Sequence, residues 1–404
     1  MVYFYAKDSQ LNKPDIHMKR RLFFLPILLV SFLTHAQELV LKPEFLNVEF
    51  EKATSDKILS TLEELIKQTT GNQIDTKLLT AHSQALTIST LRNFQAYEAN
   101  KIAQPKVKTD KQLINFYQID QEQYLLSVAY VTIDNDNNPV VLFVLNLIAH
   151  LENEKVTFAT PLEYHTRYWQ STTVGNVTYH HRGKLNMARA KAFDKKNTWI
   201  ANKLKQQPEK LDFYMCDNRQ EILKLQGFDY SIQVNGDARN GHGVDANTIF
   251  SVMNNEDFSH DMFHYYSGRI HQRINRNWIT EEGIAYLWGN AYYTDKDGEM
   301  ITHPRLVQEL NTYLAANPET NLVELFTENV KIFNHIAPEI SVRSTISGVI
   351  AKEVEKQKGM DGIFTLINCG RLDRENKYFQ TIEELLGINR ENFNNKVGQL
   401  LADY

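Results

Sequence analysis

Phe258-Ser259-His260-Asp261-Met262-Phe263-His264-Tyr265-Tyr266 and, downstream, Trp278-Ile279-Thr280-Glu281-Glu282-Gly283-Ile284-Ala285-Tyr286 are the two stretches whose reading decides this chain. On a helix, His260 and His264 stand one turn apart and project from one face. Two imidazoles at that spacing can grip one divalent ion, typically zinc. Asp261, directly after the first histidine, then sits beside the ion and can accept a proton from a water the ion activates. The pair alone is not sufficient, because catalytic zinc usually takes three protein ligands. Thr280 reads as the N-cap of a second helix, which puts a glutamate of its first turn opposite the histidines.

Working outward, Thr248 to Met253 reads as a strand just before the histidine helix, and Lys210 to Met215 as another. A Gly-rich loop, Gly236 to Gly243, lies between them. Lys184 to Lys205 is a charged, Ala-rich helical stretch, and the chain from Asn255 onward is mostly helical. Earlier, helical spacing covers 55–69 and about 77–102. Tyr124 to Val131 and Val140 to Leu145 then predict a β-hairpin across the turn cluster Asp134 to Pro139. Further strand-like pieces are Lys155 to Phe158 and Val174 to His180; His180-His181 at that strand end reads as a surface pair. No internal repeat is visible. The expectation is an α+β protein with three parts. Residues 1–36 are an extension and targeting segment. Residues 37–170 form a helical and β-rich accessory domain, and 171–404 a mostly helical domain with a small sheet.

The composition agrees with a folded chain. Of 404 residues, 42% are hydrophobic and 23% charged, which is globular rather than disordered. The 44 basic and 49 acidic residues leave a net charge of -5, with no electrostatic footprint for nucleic acid. Two cysteines exclude a disulfide scaffold and an all-cysteine zinc site, leaving histidine and carboxylate as metal ligands. Cys216 and Cys369 are either a pair or two free thiols.

Met18-Lys19-Arg20-Arg21 is a basic start, followed by the apolar run Leu22 to Leu33 and then Thr34-His35-Ala36. That order is a secretory signal peptide, about Met18–Ala36, because the run is shorter than the roughly 20 residues a bilayer span takes. The alternative is an uncleaved anchor helix. Gln37 follows the predicted cut, which argues against lipid attachment there. Removing residues 1–36, with five basic and two acidic groups, leaves 368 residues at -8. The expectation is an exported protein, periplasmic or extracellular, without a membrane span after cleavage.

A helix carrying His260-Asp261-x-x-His264, then one opening Glu282-Gly283-x-Ala285, resembles the gluzincin zinc metallopeptidases. Their pattern is HExxH with a glutamate about eighteen or more residues on, commonly as E-G-x-A; here 17 residues separate His264 from Glu282. The resemblance covers roughly Val174 to Tyr404. It implies a zincin-like domain, one Zn2+ ion held by His260, His264 and Glu282, and Asp261 as general base. It also implies peptide or protein substrates, with Thr248 to Met253 as an edge strand that pairs with them. The departure is Asp261, where the family has glutamate: its carboxylate falls back by about 1.5 Å, and 1 Å misplacements can cost about a hundredfold in rate. Two readings follow, a zinc peptidase and a catalytically impaired, metal-retaining binding protein on the same scaffold. Glu281 is expected to point into solvent, about 100° around the helix from Glu282. His271 reads as a structural or surface residue, and His242 as a loop residue that could line the cleft. Tyr286, His335 and Arg343 are candidates to stabilise an oxyanion.

Overall fold

Strands and helices share the chain in a mixed α+β arrangement. The structure, a computed structural model, describes residues 39–40, 51–71, 73–102, 109–134, 136, 138–232, 242–252, 255–371 and 373–404. The stretch read as a signal peptide and most of the Gly236 to Gly243 loop lie outside these. In chain order the early elements are β1 (Leu39–Val40), α1 (Lys52–Gly71), α2 (Gln84–Ile102), β2 (Asp110–Asp120), β3 (Gln123–Ile133), β4 (Pro139–Glu152), β5 (Lys155–Ala159) and α3 (Leu162–Thr166). The middle of the chain holds β6 (Gln170–Val174), β7 (Val177–His181), α4 (Met187–Lys203), β8 (Leu211–Met215), α5 (Arg219–Leu225), β9 (Phe228–Ser231), β10 (His242–Asp245) and β11 (Thr248–Ser251). The rest is α6 (Ser259–Ile270), α7 (Trp278–Trp288), β12 (Tyr292–Thr294), β13 (Met300–Ile301), α8 (His303–Ala316), α9 (Leu322–Glu328), α10 (Val342–Ile367), α11 (Arg374–Leu386) and α12 (Phe393–Ala402).

The chain divides into two units. The first takes residues 1–165 together with 223–236. Its sheet runs β1-β2-β3-β4-β5, and β9 also pairs with β4. The hairpin expected around Asp134 is β3 against β4, with Asp134 accepting backbone N–H bonds from Asp136 and Asn138 through Oδ1. Ile58, Leu62 and Leu65 of α1 share one core with Leu126, Phe143 and Phe158 of the sheet. The strand β9 was not foreseen. It returns from sequence beyond residue 222 to pair with β4 at Phe143, Val144 and Leu145.

The second unit takes residues 166–222 and 237–404. Its sheet has the order β10-β11-β8-β7-β6. Pairing of β7 with β8 and of β8 with β11 is parallel, and both outer pairs are antiparallel. Tyr179, Phe213 and Ile249 of the sheet join Phe193 of α4 and Phe258, Met262 and Phe263 beside or on α6 in one core. Asn186 caps α4 by accepting from the Arg189 N–H at 3.2 Å.

Two expectations change here. The strand before the histidine helix is not an edge. Ala246 and Asn247 have φ of 46° and 64°, a two-residue turn of the primed kind that folds β10 back onto β11. The edge is therefore β10. The second helix starts earlier than expected: Asn277, not Thr280, is its N-cap, accepting from the Thr280 N–H at 3.2 Å, and Thr280 is buried inside the helix.

The helix α7 lies between α6 and α10, and two glycines set how close it comes. A Cβ on Gly289 would stand 2.7 Å from the His260 backbone nitrogen. A Cβ on Gly283 would stand 2.4 Å from Ser347 Oγ and 2.8 Å from the Ser347 carbonyl carbon on α10. Overpacking of this kind costs about 1–3 kcal/mol. Gly283→Ala is therefore expected to lower unfolding free energy by about that amount in urea titration. A loss below about 0.5 kcal/mol, the usual size for an unconstrained surface change, would show that the contact is not limiting.

Candidate metal centre

The donor set comes from two helices. Before α6, Asn255 Oδ1 accepts from the Asp257 N–H at 2.8 Å, and Asp257 Oδ1 accepts from the Ser259 N–H at 2.9 Å. These bonds fix the helix start, so His260 and His264 leave it on one face, with ring centroids 5.1 Å apart. From α7, Glu282 reaches both: its Oε1 is 3.2 Å from His264 Nε2 and its Oε2 is 3.7 Å from His260 Nε2. One donor atom from each of the three residues lies within 4.8 Å of the others. The three sequence-predicted ligands are thus brought together. Asp261 is partly buried, and its charge acts on all three.

The imidazoles are oriented from behind. His260 Nδ1 donates to the Asn290 carbonyl at 3.2 Å, which leaves Nε2 as the lone-pair nitrogen towards Glu282. The groups on either side of that carbonyl are held by Lys196, whose Nζ donates to Gly289 O and to Asn290 Oδ1, each at 3.1 Å. His264 lies parallel to Trp278, with centroids 5.9 Å apart and 7° between the rings. Its Nε2 is buried and faces Glu282 Oε1 at 3.2 Å. A buried nitrogen aimed at a carboxylate and a second imidazole fits a metal ligand.

Glu281 overturns its expected placement. It is buried, not solvated. Ser267 Oγ donates to its Oε1 at 2.5 Å, and Arg276 Nη1 reaches Oε1 and Oε2 at 3.2 and 3.1 Å. The helix lies wholly within the core, so the side 100° from Glu282 faces protein as well. His181 is likewise buried, bonded to Thr172 Oγ1 and Gly183 O; its neighbour His180 bonds Asp212 and Ser171. His271 is structural, with Nδ1 accepting from Asn368 Nδ2 at 2.8 Å. His242 belongs to β10, and its side chain lies outside the described residues.

Of the oxyanion candidates, Tyr286 stands with its ring 5.7 Å from that of His260, and its hydroxyl accepts from the Ser341 N–H at 3.1 Å. Arg343 is committed to the Phe326 and Thr327 carbonyls, and His335 is exposed beside Glu309. Cys216 and Cys369 are both free thiols. Lys196, Asn290 and Arg276 were not singled out as site residues, because no local spacing connects them to the histidines, and Glu281 was expected in solvent. No protein-family model and no curated protein matches this chain.

The electrostatics of the metal-free cluster are lopsided. Burial pulls the His264 pKa down, but the adjoining Glu282 carboxylate, with Glu281 and Asp261, outweighs it and leaves the group at about 9. For His260 burial prevails over Glu282, and its pKa is lowered. Burial pushes Glu282 up, but His264 and His260 together hold it below its ordinary value. The His264 contribution to stability is complete below its unfolded value near 6.5 and is lost as pH rises through about 9. The Glu282 contribution is complete above its unfolded value near 4.5 and is lost as pH falls. Metal-free protein is therefore expected to lose more stability than Glu282→Gln between pH 6.5 and 9.5. Parallel pH profiles for the two in chemical unfolding would refute the pairing.

Proposed function

We propose that the chain is an exported zinc-dependent peptidase with a zincin-like catalytic domain. The observation that carries this is the convergence of His260, His264 and Glu282, one donor atom from each lying within 4.8 Å of the others. Two imidazole nitrogens and one carboxylate are a common catalytic zinc set, which leaves a position for water or substrate. The order of elements supports the reading: the antiparallel edge strand β10, the internal strand β11, then the histidine helix and the glutamate helix. Among the described residues no helix is long and apolar enough to cross a membrane.

In this reading His260, His264 and Glu282 hold the ion. When bound, zinc supplies a Lewis acid for a water molecule and for the scissile carbonyl. Asp261 takes the proton from the attacking water and later gives it to the leaving amine. Asn290 and Lys196 keep His260 in the tautomer that presents Nε2. The edge strand β10 is where an extended peptide would add to the sheet, its direction set by β-pairing.

The second reading is a binding protein that keeps the metal but hydrolyses poorly, and the shorter side chain of Asp261 favours it. Metal analysis of the purified chain separates both readings from a coincidental histidine pair. About one zinc per chain is expected, lost in His264→Ala; zinc binding that survives His264→Ala would end both. Peptide cleavage then decides between them. The peptidase reading expects Asp261→Asn to lower kcat/KM by about 10²–10⁴-fold, the range for loss of a general base. Activity that appears only on Asp261→Glu favours the binding protein.

A further inference from the structure

We propose that Glu281 is a positioning residue for His264, aiming its Nε2 lone pair at the metal position, and that Arg276 and Ser267 hold Glu281 for this task. The inference rests on the reading of His260, His264 and Glu282 as ligands. Glu281 immediately precedes Glu282 on α7, is 4% exposed, and turns its carboxylate behind the histidine that Glu282 meets from the front. Its two oxygens are not equivalent. Oε1 accepts from Ser267 Oγ and from Arg276. Oε2 is held by Arg276 alone and lies 3.9 Å from His264 Nδ1.

Trp278, parallel to the His264 ring, leaves the imidazole free mainly to turn within its own plane. Which nitrogen faces Glu282 then depends on what faces the opposite one. A carboxylate behind Nδ1 favours the proton there and the lone pair on Nε2. The 3.9 Å separation is longer than a hydrogen bond, and an in-plane shift of about 1 Å closes it. His260 has a different support, the neutral Asn290 carbonyl, so the two histidines are backed by groups of unequal charge. The competing role for Glu281 is only to neutralise Arg276, which is 9% exposed.

Competition with a chromogenic chelator measures zinc affinity in the full chain and in Glu281→Gln, Glu281→Gln/Arg276→Gln and His264→Ala. The visible spectrum of the cobalt-substituted proteins reports ligand geometry. Glu281→Gln is expected to weaken zinc binding about 10–100-fold and to alter the cobalt spectrum, the size usual for losing a partner behind a metal-bound histidine. The double variant is expected to stay as weak, because the carboxylate is still missing. Recovery of wild-type affinity in the double variant would overturn the proposal, as would unchanged affinity in Glu281→Gln. Should Glu281→Gln fail to fold, Glu281→Asp keeps the charge but withdraws it from Nδ1; weakened binding supports the proposal and unchanged binding overturns it. The underlying site reading fails separately, if wild type binds no zinc or His264→Ala binds it equally well.

Discussion

The close passage of α7 between α6 and α10 is the constraint on which the donor set depends. Side chains of ordinary size would hold these helices apart, at the 8–10 Å usual for packed pairs. Gly289 lets the end of α7 meet the backbone of His260, and Gly283 lets its middle meet Ser347 on α10. Glu282 stands next to Gly283, so the contact that removes a side chain on one face delivers the carboxylate on another. The glycine of the E-G-x-A sequence thus has a packing reason independent of any ligand.

A helix this deeply packed carries two adjacent carboxylates, and each needs its own compensation. Burying an ionised carboxylate without partners is strongly unfavourable. Glu281 is met by Arg276 and Ser267; Glu282 is met by His264 and His260. In the metal-free protein the second pairing places a proton on His264, the nitrogen being the same one that faces the donor centre. A metal ion bound there would compete with that proton for one position, and the carboxylates that raise the basicity of His264 would also strengthen it as a ligand once deprotonated.

The elements around this centre were legible to different degrees. The α4 helix, the β3–β4 hairpin and the strand before α6 follow from period and turn residues. The β10–β11 turn escaped because Ala246 is not a residue expected at positive φ, and His242 and Gly243 of β10 read as the end of a Gly-rich loop. The start of α7 was misplaced by three residues, because Asn277 and Thr280 are both competent caps and only the helix decides which is used. The return of β9 to the first sheet has no local signal at all, since strand pairing across that sequence distance depends on the partner's free edge.

The resemblance to gluzincins pointed to Glu282 as a third donor; by itself, the amino-acid sequence determined the mixed α+β class and the spacing that puts His260 and His264 on one helical face. These are short-range facts, set by 3.6 residues per turn and by the chemistry of imidazole and carboxylate. The tertiary structure alone decided that the three donors converge, that Glu281 faces inward beside Arg276, and that Asn290 and Lys196 support His260. Those relations join residues from separate helices and loops, and which groups then meet is settled by the packing of the whole unit rather than by any local pattern.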